Sequence, residues 1–247
     1  MTTAGAAASV AARPGALVAL YRLLLRTQVT VQRLLGIGAL GALAVVMGIF
    51  ARLDSNSPQA AADVVSSYGL AVLVPLATLW LGTAAIGDLV EDRLLAYLWL
   101  KPVARWQLPA AAIMATFTIV LPLTVLPLTA STLVAGASDV APAALLASAL
   151  AALAYSGLFV AAGVWFGRAV WVGLTFVLVW ENGAAYSAEG AARFTVVGWA
   201  SSVLGLAPDV ELQLDAGRAG VAFVVLPAVA VGAWLAASWR YARADID

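Results

Sequence analysis

The stretch YGLAVLVPLATLWLGTAAIG (68–87) followed by DLVEDRLLAYLWLKPVARW (88–106) sets an apolar run of membrane-crossing length directly against a charged one. A second apolar run starts immediately afterwards, at Leu108. The insertion between them is the one long charged interruption of its kind and carries Lys101, the only lysine of the chain. So apolar a chain keeps such a segment only where water or another protein receives it.

The rest of the composition agrees. Of 247 residues, 64% are hydrophobic and 11% charged, with a mean hydropathy of +0.99. A soluble domain carries roughly 25% charged residues. Too little polar surface remains to cover a water-exposed globule, and an all-α integral membrane protein is expected. The apolar start 4–12 is short, lacks a basic flank and runs into Arg13-Pro14, so no secretory signal is expected.

A spanning helix needs about 20 apolar residues. Six segments qualify: 34–53, 68–87, 108–135, 142–166, 170–186 and 219–239. The third contains Pro122 and Pro127, which predicts a kinked or broken helix. Ten of the thirteen basic residues (Arg13, Arg22, Arg26, Arg33, Arg93, Lys101, Arg105, Arg168, Arg240 and Arg243) fall on one side of this arrangement. The positive-inside rule makes that side cytoplasmic, with both termini and the insertion 88–106.

Residues 1–15 are expected to form a flexible tail. Over 16–33, Arg22, Arg26 and Arg33 share a narrow stripe at helical spacing, opposite Leu17, Leu20, Leu24, Val31 and Leu35. That division predicts an amphipathic elbow helix lying in the membrane interface. From 34 to 247 a single transmembrane domain is expected. Within it, 187–218 is the longest external stretch and holds an apolar piece, 194–206, too short to span. It is either a re-entrant or interfacial segment or a lid on the external helix ends. Gly183, Gly190, Gly198 and Gly205 permit the turns, and Trp180 and Trp199 suit the interfacial aromatic belt.

Cysteine and histidine are both absent, which removes disulfides, thiolate or imidazole metal sites and His-based nucleophilic dyads. No metal site and no catalytic residue is expected. A phosphate-binding loop needs Gly-Lys, and Lys101 stands between Leu100 and Pro102. The chain therefore cannot use ATP by itself. Ion-coupled transporters keep ionisable groups within their spans, and the one candidate is Glu181, in Val-Trp-Glu-Asn at the end of the fifth span. It is either a polar anchor for the external hairpin, a contact on a substrate pathway, or an interfacial carboxylate in head-group water.

In the insertion, Asp88, Glu91, Asp92 and Leu95 share a helical face. Tyr97, Leu98 and Trp99 form a bulky apolar cluster, Pro102 stops the helix, and Arg105-Trp106 leads back to the membrane. An acidic turn, an aromatic knob and a basic exit suit docking into a groove on a partner. An ordinary loop with interfacial Arg and Trp is the plainer alternative.

Taken together these features resemble the membrane subunits of ATP-binding-cassette transporters, specifically the ABC type-2 permeases. The resemblance runs from about residue 16 to the end. It rests on Glu91-Asp92-Arg93, Tyr97-Leu98, Lys101-Pro102-Val103-Ala104-Arg105 and Trp180-Glu181. Two positions depart from that family's pattern: Leu94-Leu95 stands for its Gly-Thr, and Lys101 for its arginine.

The resemblance implies six spans, an elbow helix, a cytoplasmic coupling helix formed by Asp88, Glu91, Asp92, Arg93, Tyr97, Lys101, Pro102 and Arg105, and an external hairpin at Trp180 and Glu181. It implies a bacterial plasma-membrane exporter working as a dimer with itself or a sister permease. Two copies of a separate ATPase subunit would carry the ATP and Mg. No cofactor in this chain and no nucleic-acid partner are implied, and membrane lipid surrounds it. From the residues alone, a non-transporting assembly subunit and an ATP-independent carrier or channel stay open. The apolar interior favours an amphiphilic cargo.

Overall fold

The structure is a computed structural model that describes residues 14–54, 57–91, 104–185, 190–214 and 216–243. Eight helices and no strand are found among the described residues. Five helices are long and apolar enough to cross a membrane, so the chain is a multi-pass membrane protein.

Helix α1 (Pro14–Gln28) opens on a proline, which suits a first helical turn because it has no N–H to leave unpaired. It buries Leu20, Leu24 and Gln28 and exposes Arg22 and Arg26. The helix stops at Val29-Thr30, where Thr30 adopts an extended conformation, and α2 (Val31–Ala51) begins. The expected elbow 16–33 is thereby shortened. Arg33 belongs to the first long helix and not to the interfacial one, and Val31 and Leu35 are exposed rather than packed with Leu20 and Leu24. A run of β-branched residues, Val29-Thr30-Val31, favours this break over a continuous helix.

Helix α3 is continuous through Ser57–Asp63, Val64–Leu73 and Val74–Glu91, the middle part wound in wide i→i+5 turns. Helix α4 likewise joins Gln107–Val120, Leu121–Val125 and Leu126–Val134. Its short wide-turn section contains Pro122, whose ring would clash with the preceding turn of a regular helix. The proline disturbance expected from the sequence is thus absorbed as a local widening. Helix α5 (Ala141–Trp165) stands at the centre, packed on α3, α4 and the last two helices.

Helix α6 joins Ala169–Thr175 to the wide-turn section Phe176–Ala184. As an apolar helix it extends over Ala169–Gly183, about 22 Å at 1.5 Å per residue, short of a hydrocarbon core of about 30 Å. The expected crossing 170–186 is therefore corrected to a short helix. Helix α7 (Val196–Leu204) begins beside the upper part of α6 and leads back to the end of the bundle where α3 starts. Helix α8 (Ala219–Arg243) then returns the full distance.

Small residues let these helices touch. A Cβ on Gly157 of α5 would lie 2.8 Å from Cα of Ala230 on α8, and one on Gly48 of α2 would collide with the backbone of Ser131 on α4. Without a hydrophobic drive between helices in lipid, such close backbone contact supplies much of the packing energy.

One end of the bundle gathers the basic residues with tryptophans. Trp165 stacks on Trp239 at 6.1 Å, Arg243 lies 4.0 Å over the Trp239 ring, and Arg240 lies 5.9 Å over Trp165. The opposite end is acidic. There Gln59 donates to the Glu211 carbonyl at 2.8 Å and accepts from its N–H at 2.9 Å, tying the loop after α7 to the start of α3.

This packing gives opposite signs for two glycines. Gly157→Ala should lower the thermal midpoint in mild detergent, by overpacking worth roughly 1–3 kcal/mol. Gly38→Ala, where a Cβ meets nothing within 4 Å, should leave it unchanged or raise it, since alanine favours helix. Equal losses at both positions would contradict the helix contacts described.

Candidate functional site

The hairpin between α6 and α7 is organised by one carboxylate. Helix α6 carries Glu181 about 18 Å from its start at Ala169, and the residue is 1% exposed. It is therefore enclosed by protein and not, as one of the sequence readings had it, in contact with head-group water. Its Oε1 accepts the backbone N–H of Val196 at 3.1 Å, and its Oε2 accepts that of Val197 at 2.9 Å. Tyr155 Oη, fully buried on α5, donates to Oε2 at 2.8 Å.

The first N–H groups of a helix have no partner within it. In the interior of a membrane protein each unpaired one costs several kcal/mol. Glu181 supplies acceptors to two of those at the start of α7, and its negative charge faces the positive end of that helix's dipole. A third is met by Thr195, whose Oγ1 accepts from Gly198 N at 3.1 Å. Gly198 must be glycine-sized because a Cβ there would collide with the Ala192 carbonyl. Gly190 takes a positive φ of 83° and starts the turn Ala191–Phe194. Gly183 and Gly205 adopt no left-handed conformation.

The flanking residues of α6 brace the same hairpin. Trp180 donates its ring N–H to the Phe194 carbonyl at 3.1 Å, so it serves the hairpin while its ring stays half exposed. Trp199 does the same to Arg193 at 2.9 Å. Asn182 donates to the Ala71 carbonyl at 3.1 Å and to that of Val177 at 2.9 Å. Ala71 lies in the wide-turn part of α3, where the helix ladder is loosened. The hairpin is thus bonded to α5 through Tyr155 and to α3 through Asn182.

The charged insertion is placed only at its edges. Asp88 and Glu91 fall in the last turns of α3. Asp92, Arg93, Tyr97, Lys101 and Pro102 lie outside the described residues. Arg105 donates to the Ala242 carbonyl near the end of α8. Beside it, the Trp106 carbonyl accepts the Trp234 ring N–H at 3.2 Å, with the two rings edge to face at 6.1 Å. The insertion therefore leaves α3 and rejoins the bundle against α8, all at the basic end. Helix α1 lies along α4 at this end as well: Tyr21 Oη donates to Thr118 Oγ1 at 3.1 Å, and Leu20 and Leu24 share a buried cluster with Ala111, Ala112 and Ala115. Arg22 and Arg26 remain on the open side, and Arg33 is half-buried on α2.

Tyr155 and Asn182 were missed from the sequence. Tyr155 is the one polar aromatic in the alanine-rich run 141–157, a signal visible in principle. Asn182 gave none beyond its position next to Glu181. Among the described residues no group of three or more potential metal-ligating side chains occurs.

No protein-family model and no curated protein matches the sequence.

The hydrogen bonding sets an order of damage. Glu181→Ala leaves two backbone N–H groups and a tyrosine hydroxyl buried without acceptors, at about 1–3 kcal/mol each. Tyr155→Phe removes one bond, at about 1 kcal/mol. Thermal unfolding of purified variants should therefore rank wild type above Tyr155→Phe, and Tyr155→Phe well above Glu181→Ala. A Glu181→Ala protein as stable as wild type would show that the carboxylate does not hold the hairpin.

Proposed function

We propose that the chain is the membrane-spanning permease subunit of an ATP-driven exporter resembling the ABC type-2 permeases. The observation that carries the reading is the α6–α7 hairpin, held by the carboxylate of Trp180-Glu181 between the fifth and last helices. That is where the resemblance puts an external hairpin and a closing Trp-Glu. Three further features support it. A short helix with two exposed arginines, α1, lies beside the bundle at the basic end. The charged insertion leaves and rejoins the bundle at that end. The chain passes back and forth so that both described termini also lie there.

On this reading α6 and the α6–α7 hairpin together make the fifth of six passages, and the basic end faces the cytoplasm. Residues 88–105 dock on an ATPase subunit that brings ATP and Mg. Two permease copies, identical or sister, and two ATPase copies make the working unit. Closure of the ATPase pair on ATP pushes on the insertion. Helix α3 runs unbroken from Glu91 into the core and is bonded to the hairpin through Asn182, so it is the lever that carries the push to the opposite end. The cargo suited to this apolar interior is amphiphilic.

Orientation is checked cleanly because the chain has no cysteine of its own. Ser138→Cys should react with a membrane-impermeant maleimide in intact cells, and Gly167→Cys only after lysis. The reverse pattern would overturn the orientation. Affinity purification from native membranes should recover a soluble protein with a phosphate-binding loop in near one-to-one ratio. Recovery of the chain with a non-ATPase factor would instead make it an assembly subunit. Glu91→Ala combined with Lys101→Ala should leave membrane abundance unchanged and abolish ATP-dependent transport while hydrolysis by the partner continues. Unchanged transport at equal abundance would remove the coupling role from the insertion.

A further inference from the structure

Two adjoining hollows open between α2, α3 and α6. The first, about 410 Å³, lies at the basic end and is lined by Arg33 of α2, Arg168 just before α6, and the aromatic side chains Trp80, Phe166 and Trp171. Gly87, Gly163 and Gly167 form part of its walls, and a Cβ on Gly87 or Gly167 would meet nothing within 4 Å. The second, about 260 Å³, shares Trp80 and Val170 with the first and runs deeper between the same helices. Its other walls are Ile37, Leu40, Leu76, Ala77, Leu79 and Leu174, all aliphatic.

We infer that these hollows form one binding site for an anionic phospholipid of the leaflet at the basic end, the head-group phosphate between Arg33 and Arg168 and an acyl chain along the aliphatic groove. Arginine forks match phosphate oxygens in pairs, and basic pockets between membrane helices on the cytoplasmic side take such head groups. A soluble phosphate would use the first hollow and leave the second without purpose. The continuation of a charged cleft into an aliphatic groove through the shared Trp80 and Val170 is what selects an amphiphile. The combined space falls in the range of ordinary small-molecule sites. The exposed Trp171 and half-exposed Trp80 and Phe166 offer aromatic rings of the kind that favour a head-group layer. The inference rests on the proposed orientation, with the basic end at the cytoplasmic leaflet, and stands apart from any coupling to ATP.

The test uses the full chain in mild detergent, titrated with dioctanoyl phosphatidylglycerol, dioctanoyl phosphatidylcholine and glycerol 3-phosphate, with binding read by calorimetry. The first ligand should bind saturably at one site per chain and at least about tenfold more tightly than the other two. Arg168→Gln alters an exposed residue and should weaken phosphatidylglycerol about tenfold, the loss expected for one charge-assisted contact. Gly87→Met fills the first hollow from a position where a Cβ meets nothing within 4 Å, keeps both arginines, and should abolish binding. Arg193→Gln, at the far hairpin, should bind as wild type does. Equal binding of phosphatidylcholine would show that charge is not read. Equal binding of glycerol 3-phosphate would show that the groove is not used. Unchanged affinity in both Arg168→Gln and Gly87→Met would place the lipid elsewhere. Each of these three results overturns the assignment.

Discussion

A chain that enters the hydrocarbon of a bilayer must pair every backbone N–H and C=O within protein, because no water is present to do so. Continuous helices satisfy this along their length and fail at their ends. The five long helices have the length to carry both ends past the apolar layer, where the problem does not arise. The α6–α7 hairpin instead starts a helix buried within the protein, and Glu181 is the residue that makes this tolerable. Its two oxygens accept from Val196, Val197 and Tyr155, so the charge that would be costly alone is spread over three donors and a helix dipole. The rest of the arrangement follows from that junction. Helix α6 can end early, α7 can begin within the bundle, and the loop after α7 can fold back on Gln59 of α3.

The same constraint explains why α3 and α5 are the central helices. Both touch the hairpin, α5 through the tyrosine hydroxyl and α3 through the Ala71 carbonyl that Asn182 reaches. A carbonyl in a regular helix already has its partner four residues on, whereas wide turns stretch that ladder and free acceptors for a neighbour. The wide-turn part of α3 lies where this is needed, and the wide-turn part of α6 contains Glu181 and Asn182 themselves. Local loosening of two helices is thus matched by side-chain bonds between them. Elsewhere, apart from the wide turn at Pro122 in α4, the helices are regular and depend on alanine and glycine contacts, as at Gly157 against Ala230.

Much of the fold was legible because hydropathy reports burial in lipid directly. Runs of 20 or more apolar residues located four helices to within a few positions and the end but not the start of α3, which begins at Ser57 and not at Tyr68, and the prolines of α4 marked its irregular section. What failed depended on contacts between distant residues. The window 170–186 is apolar enough to span, and nothing in it shows that Glu181 will cap a helix beginning fifteen residues later. The arginine stripe placed Arg33 with Arg22 and Arg26 because a helical wheel assumes an unbroken helix. Three β-branched residues at 29–31 interrupt it. Of the site, Trp180 and Glu181 were visible as a polar pair closing an apolar run. Tyr155 and Asn182 were not, since their meaning lies in which carbonyl or carboxylate they reach.

Arg33 shows how a misplaced residue acquires a different use. On an interfacial helix it would be one more guanidinium among head groups, exchanging freely with water and phosphate. Moved onto α2 and half-buried, it lines one hollow with Trp80 and Arg168, beside Gly87 and Gly167. A half-buried guanidinium loses less side-chain freedom on meeting a phosphate than a mobile one does. The break at Val29-Thr30 therefore both ends α1 and sets one wall of the cleft between α2 and α6. A difference of a few residues in where one helix stops turns a general affinity for anionic membrane into the geometry of a site.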